Sequence, residues 1–244
     1  MSFILGPVSV PGSSAMDGYW AAQTRRRRGL ALVTLLLVLA AGCGWTGWHT
    51  SGSARIVVVA AALVLAAGAL VARPRRDPER WLRGAAGEQA TAALLERLPA
   101  RRWAVLHDLA VPGSRANIDH LVIGPTGVWL VDTKATRAPV RSGWRSVRFG
   151  ERKLDSGPAR WEAEVASELL GTPVRPIIAV HGEGLRRRGA RAGGVRVVPA
   201  SSLVKRLRRG PRRLRRLEVA EVADLAYDVL APASSWDKGR RHRG

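Results

Sequence analysis

Apolar and polar positions divide the chain into an N-terminal part that is apolar on every helical face and a longer part where short β-rich runs alternate with amphipathic stretches. Residues 29–48, GLALVTLLLVLAAGCGWTGW, run about 20 residues without a charge, which is long enough to cross the bilayer core as a helix. A polar link at 49–55 follows. Residues 56–72, IVVVAAALVLAAGALVA, form a second run of about 17, at the short end of the spanning range. Trp45 and Trp48 suit an interfacial belt. Helices apolar all round are either membrane spans or buried core helices, and the basic outer flanks favour spans. Arg25 to Arg28 precede the first run, and Arg73, Arg75 and Arg76 follow the second. The link between them holds only His49 and Arg55. The positive-inside rule then places both the N- and C-termini in the cytoplasm, at a cell membrane crossed twice.

Residues 1–28 read as a basic tail whose first 24 positions are polar, non-periodic and mobile. A competing pattern lies in the first run: Leu39-Ala40-Ala41-Gly42-Cys43 after an arginine block resembles a bacterial lipoprotein cleavage box. The 24-residue lead is long for a signal peptide, and a second apolar run follows at once, so Cys43 reads as a small apolar residue near a membrane face.

Beyond a Pro-interrupted linker, Asp77-Pro78-Glu79 has the chemistry of a helix start: N-cap, first-position proline, and acid in the first turn. This helix is expected to run to about Leu98. Gly84 and Gly87 each cost it up to about 1 kcal/mol relative to Ala, which suggests close approach of another backbone. Residues 103–111 read as a strand. Residues 118–123 and 128–132 then flank Gly124-Pro125-Thr126-Gly127, a hairpin signal. Both arms are apolar on both faces, as in a central strand covered on two sides. Residues 135–142 read as a polar connection, 144–149 as a less apolar strand, and 159–170 as a helix opened by Gly157-Pro158. Residues 174–180 read as a strand, edge-like because of Pro176. Residues 195–198 make a short last strand, 201–209 and 217–230 are helices, and 231–244 reads as disordered. The order predicts an α/β fold with a mixed sheet and helices on its faces. It divides into a tail at 1–28, two spans at 29–72, a globular domain at 77–200 and a basic helical extension at 201–244.

Composition narrows the partners. The 244 residues carry a net charge of +21, with 40 basic and 19 acidic residues, and the pI is near 11.8. Such charge points to nucleic acid, an anionic membrane surface, or both. Only four basic residues are lysines, and this arginine bias also follows from a biased genome, so charge alone does not decide. The basic run 205–216 suits a solvated face, anionic lipid or nucleic acid equally well. A single cysteine excludes internal disulfides and cysteine-built zinc or iron–sulfur sites. The five histidines stand apart, and no internal repeat, P-loop, GxGxxG or GxSxG is present.

The chemistry concentrates on the hairpin, NIDHLVIGPTGVWLVDTK. If the four turn residues close it, Ile123 faces Val128 and the pairing carries back to put Asp119 opposite Asp132. Directly opposed Cβ atoms lie roughly 4.5–5.5 Å apart. Lys134, two residues on, projects from the same face as Asp132. Opposed carboxylates repel, and a divalent cation between them turns that cost into a site. Two carboxylates and a lysine suit metal-assisted phosphodiester hydrolysis with Mg2+ or Mn2+.

As a set, Gly87-Glu88, Asn117-Ile118-Asp119-His120, Gly124-Pro125-Thr126-Gly127-Val128 and Asp132-Thr133-Lys134 resemble the nuclease-related domain family, NERD, within the PD-(D/E)xK restriction-endonuclease-like superfamily. The resemblance is strongest over 84–134. It implies an α-β-β-β-α-β core, a metal site from Glu88, Asp119 and Asp132, Lys134 as base or charge stabiliser, and a membrane-anchored bacterial nuclease acting on nucleic acid, DNA ahead of RNA. His120 is expected to face the core or a helix. The chain departs from the family in three places. Ala135-Thr136-Arg137-Ala138 replaces an asparagine- and glycine-bearing segment, Asp132 stands where Glu is commoner, and Trp161 stands about where a helix glutamine is common. The alternative reading is a catalytically inactive, membrane-tethered module that binds nucleic acid or protein.

Overall fold

The computed structural model describes residues 13–50, 54–72 and 78–230. Helix α1 (Ser13–Thr50) begins well before the expected span. Ala21, Ala22, Gln23 and the arginines are good helix formers, so the helix extends back through the second half of the 24 positions read as a mobile tail, and 1–12 lie outside the described residues. Thr24 and Thr34 donate their hydroxyls to the carbonyls of Trp20 and Leu30, one turn back in the same helix. Helix α2 (Ala54–Ala72) follows. Asp17–Trp81 forms one compact unit, in which Ala40 and Ala67 are buried while Leu32, Leu35, Val38, Val59 and Leu65 are exposed. Among the described residues no helix is long and apolar enough to cross a membrane. Parts of 49–55, the linker 73–77 and the end 231–244 lie outside the described residues.

The second unit is built on Leu82–Gly244. It opens with α3 (Pro78–Leu95), which carries Glu79 in its first turn. Three antiparallel strands follow: β1 (Ala104–Ala110), β2 (Asn117–Gly124) and β3 (Gly127–Ala135). The short strands β4 (Val140–Ser142), β5 (Val147–Phe149) and β6 (Arg152–Lys153) make a separate three-stranded sheet. Helix α4 (Gly157–Leu170) crosses over to β7 (Val174–His181), which lies parallel to β3. Then come β8 (Ala190–Ala192), β9 (Val195–Pro199), α5 (Leu203–Arg208) and α6 (Arg216–Val229). The main sheet has the mixed order β1-β2-β3-β7-β9-β8.

Period-two alternation assigns the two faces. Leu121, Ile123, Val128, Leu130, Ile178 and Val180 pack with Ala159, Ala163 and Ala166 of α4 and Val219 and Ala226 of α6. Val122, Trp129, Val131, Ile177 and Ala179 pack on the other side with Leu95 of α3 and Leu203 and Leu207 of α5. Strand β3 is thus covered on both faces, and its first seven residues are buried.

Three expectations need correction. Part of the connection at 135–142 and part of the strand at 144–149 are β4 and β5 of the small sheet, and Trp144 is 93% exposed in the turn between them. Strands of two or three residues are too short to show a period, even though Val140 and Val147 are buried in the core. Pro176 does not mark an edge either, because β7 sits between β3 and β9. The ladder to β9 starts at Ile177↔Arg196, so the proline lies where only β3 pairs with β7. The first helix ends at Leu95 rather than Leu98.

The hairpin turn is tighter than its four-residue signal, since Gly124 pairs with Gly127 and only Pro125 and Thr126 form the loop. Gly127 supplies the positive φ of 107° there. Thr126 is buried: its hydroxyl donates to Leu207 O at 2.6 Å and accepts from Trp129 Nε1 at 3.1 Å. Arg213 N–H donates to Pro125 O at 2.7 Å. The basic extension therefore holds the closed end of the hairpin, and the open end is left for chemistry.

Gly87 sets how near α3 comes to that open end. A Cβ there would stand 2.9 Å from Ala135 Cβ and 3.4 Å from Thr133 Cγ2, whereas one on Gly84 meets nothing within 4 Å. Gly87→Ala is expected to lower stability by about 1–3 kcal/mol through this overpacking. Gly84→Ala gains up to about 1 kcal/mol of helix propensity. Denaturant unfolding of the two variants checks the contrast.

Candidate active site

The register of β1, β2 and β3 brings acids into line. Ile123 pairs with Val128 as the turn signal requires, and the β2–β3 ladder runs back to His120↔Val131. One step further places Asp119 opposite Asp132. The β1–β2 ladder likewise pairs His107 with His120 and Leu109 with Ile118, and it is interrupted between them at Asp108 and Asp119. Asp108 there has φ 50°, the one non-glycine residue with positive φ among the described residues. This left-handed step shifts the phase of β1, so Leu106 and Leu109, three apart, face the same core cluster. Ile118 and Leu121 do the same on β2. The strands therefore part where the acids sit, and side chains take over from the backbone ladder. Thr133 N–H donates to Asp119 Oδ2 at 2.7 Å.

Lys134 Nζ donates to Asp132 Oδ1 at 2.6 Å; the lysine side chain is 40% exposed and the aspartate 12%. Alternation puts both on the same face of β3, as their spacing of two requires. Glu88 arrives from α3 on the other side of the sheet, next to the close contact at Gly87. Thr91, one turn on, accepts from Thr133 Oγ1 at 3.1 Å and bonds His181 Nε2 at 2.8 Å. That chain ties α3 to β3 and β7 and fixes the helix turn that carries Glu88.

A further acid enters from α4. Glu162 is 8% exposed and lies on the buried stripe formed by Ala159, Ala163, Ala166 and Leu170. The sequence does not single it out; the residue placed about where a helix glutamine is common is its neighbour Trp161, which is 44% exposed. Its signal was a carboxylate at an apolar helix position, i+3 from Ala159 and i−4 from Ala166. Asp108 was also missed; its signal was an acid within the apolar run of β1.

Electrostatics bind these groups together. Burial, then Asp108 and Asp132, push the Glu88 carboxyl up to about 7 against the pull of Lys134. Burial, then Asp132, push Glu162 up to about 7, again opposed by Lys134. Asp119 is raised well above the usual carboxylate range by burial, Asp132 and Glu88, and is pulled back by Lys134 and the Thr133 N–H. Burial raises Asp132, and the charge and hydrogen bond of Lys134 hold it back. Burial alone would lower Lys134, but Asp132 and Asp119 outweigh it, so the ammonium is held above its ordinary value. One cation thus balances several crowded carboxyls.

The donor set is all hard oxygen, which fits Mg2+ or Mn2+. One oxygen each of Asp119 and Asp132 is engaged as described, and the other accepts no hydrogen bond from the described residues. No group of three or more His, Cys, Asp or Glu among the described residues converges closely enough to hold a metal ion. The donor chemistry suits a hard cation, but the neighbouring carboxylates do not close into a ligand set here, and the lysine rests on one of them. His120 is fully buried, with its Nδ1 2.7 Å from Nδ1 of His107. Burial, then His107 and His181, lower His120 to about 3, so it stays neutral.

These shifts have a signed consequence. Carboxyls with raised native pKa bind more protons folded than unfolded, so the stability they give at low pH is lost as pH rises through about 7. Histidines 107, 120 and 181 are lowered and work oppositely, but only below their unfolded value near 6.5. Between about pH 6.5 and 8, metal-free protein is expected to lose stability as pH rises, and Glu162→Gln to lessen that slope. Denaturant midpoints across the window check it.

Comparison with known proteins bears on the same region. The family model described as Nuclease-related domain, NERD, matches residues 83–178. A curated protein of Bacillus anthracis described as uncharacterised is 40% identical over 63 residues, which is 25% of this chain and 29% of that protein. The chain thus spans well under half the length of that relative. No solved structure matches. Glu88, Asp119, Asp132, Lys134 and Glu162 all lie within the matched segment, so the part of the chain that holds the candidate site is similar to the nuclease-related domain family.

Proposed function

We propose that this protein is a nuclease that hydrolyses phosphodiester bonds with Mg2+ or Mn2+, acting on nucleic acid, DNA ahead of RNA. The observation that carries the reading is the meeting of Asp119, Asp132 and Lys134 at the open end of a hairpin covered on both faces, with Glu88 and Glu162 reaching it from the two helix layers. Asp119 and Asp132 would hold the metal through their free oxygens, with Glu88 as the third ligand. When bound, the metal polarises the phosphate and promotes ionisation of water. Lys134 is half exposed, so it can leave Asp132 and set its charge beside the scissile phosphate or orient the attacking water. Asp132 and then Asp119 hold the Lys134 ammonium above its ordinary value, and Glu162 adds to them from α4. The rigid β2–β3 pair fixes the spacing, and Gly87 lets α3 come near enough for Glu88 to reach.

A second reading, a non-cutting docking module, is favoured by the bond of Lys134 to Asp132 and by Ala135-Thr136-Arg137-Ala138. Cleavage assays on DNA and RNA with Mg2+ or Mn2+ separate the two. Asp132→Ala and Lys134→Ala are each expected to lower the cleavage rate about 10²-fold or more with melting preserved. Cleavage by wild type and both variants at equal rates overturns the assignment, and binding without cleavage selects the docking module.

The finer reading adds a membrane tether with both termini cytoplasmic. It is supported by the uncharged runs 29–48 and 56–72 and by the exposed Leu35, Val38, Val59 and Leu65 on α1 and α2. The full chain is expected to stay in the membrane pellet through high salt and alkaline carbonate, and release by carbonate contradicts the tether.

A further inference from the structure

The basic run at 205–216 does not form one surface. Arg215 is paired with Glu218, with Nη2 to Oε1 at 2.9 Å. Arg212 and Arg216 border a recess together with Arg101, Arg102 and Pro125. Lys205, Arg206 and Arg209 instead line a groove with Arg187, Arg188 and Arg196, which come from the β7–β8 connection and from β9. The groove encloses about 700 Å³ and is also lined by Ser201 and Ser202. A neighbouring recess of about 380 Å³ shares Arg196, Arg206 and Arg209 and continues to Arg175, whose guanidinium lies 3.7 Å over the Trp129 ring. The cationic track therefore extends beyond the reach of a single phosphate.

No carboxylate lines either recess, and among the described residues none of the six groove cations makes an ion pair. Burial, then the charges of Arg206 and Arg191, hold Arg196 below its ordinary value. Gathering these cations costs energy that a polyanion would offset. Five of the six are arginines, whose planar fork engages phosphate oxygens in pairs. The shape separates two polyanions. A surface that seats on lipid combines cations with exposed apolar anchors on a flat or convex face. Here the cations line a concavity, and none of the exposed large apolar residues of this unit, Leu82, Trp144, Trp161, Leu217 and Leu225, borders it.

We propose that the groove between β9, α5 and the β7–β8 connection binds the phosphodiester backbone of a nucleic acid, with Arg196 and Arg206 at its centre. The groove borders β9 at Arg196 and Val198, which the register sets level with Val131 and Thr133 but two strands away from β3, and only its neighbouring recess runs on to Trp129. Binding there needs neither metal nor cleavage, so it stands apart from the nuclease reading.

The test measures anisotropy of a labelled 20-base-pair duplex with the full chain in EDTA, over a range of salt. Arg196→Ala/Arg206→Ala is expected to weaken binding tenfold or more and to reduce the log–log salt slope by about two. Arg212→Ala/Arg216→Ala, outside the groove, is expected to change affinity less than threefold. Unchanged affinity of the groove variant, or equal loss in both arginine pairs, overturns the proposal. So does a groove variant that keeps the duplex but loses binding to phosphatidylglycerol vesicles. A readout free of substitution is phenylglyoxal modification of wild type: the duplex is expected to shield Arg196 and Arg206, and unaltered modification rejects the site. Failure of wild type to cleave in Mg2+ would leave this binding result untouched, so the two readings fail separately.

Discussion

Crowding of carboxyls at the end of a covered strand is the constraint on which the rest of this unit depends. Asp132 lies on the strand with the most complete cover, and Asp119 is set across from it by an antiparallel register that admits no slip without turning the apolar faces outward. Glu88 and Glu162 then arrive from opposite helix layers. Lys134 is the compensating charge within the protein, bonded to one carboxylate and felt by the others. Burial is the first cause of the raised carboxyl pKa values, and the charge of one lysine offsets it only in part.

The fold holds this arrangement from both ends. At the closed end, the buried hydroxyl of Thr126 and the carbonyl of Pro125 are tied to the C-terminal extension. At the open end, Gly87 admits α3, and the bonds of Thr91 to Thr133 and to His181 lock its turn against β3 and β7. The break in the ladder at Asp108 and Asp119 takes both residues out of the regular strand pairing. Packing, turn chemistry and local strain therefore converge on one edge of one hairpin.

Much of this was legible in sequence because it is local. The hairpin is encoded within 18 consecutive residues, so its turn, its register and the meeting of Asp119, Asp132 and Lys134 could be counted out. Gly87 likewise announced a close approach. Glu162 was not legible as a partner, because it meets Asp132 only after α4 packs on the sheet, and 30 positions separate the two. The small sheet β4–β6 was missed because its strands are too short to show alternation. Pro176 misled because edge-strand chemistry was read at a position where one neighbouring strand has not yet begun. The groove was hidden for a related reason: half its cations come from 187–196 and half from the basic run, and only the sheet brings them together.

The central claim is that the carboxyl cluster is a cation site, and calorimetric titration of the metal-free chain with Mn2+ at pH 8 tests it without any substrate. The account predicts saturable binding that disappears in Asp132→Asn and in Asp119→Asn and weakens as pH is lowered through 7, where Glu88 takes up its proton. Absence of binding by wild type, or binding that both substitutions leave unchanged, would contradict it.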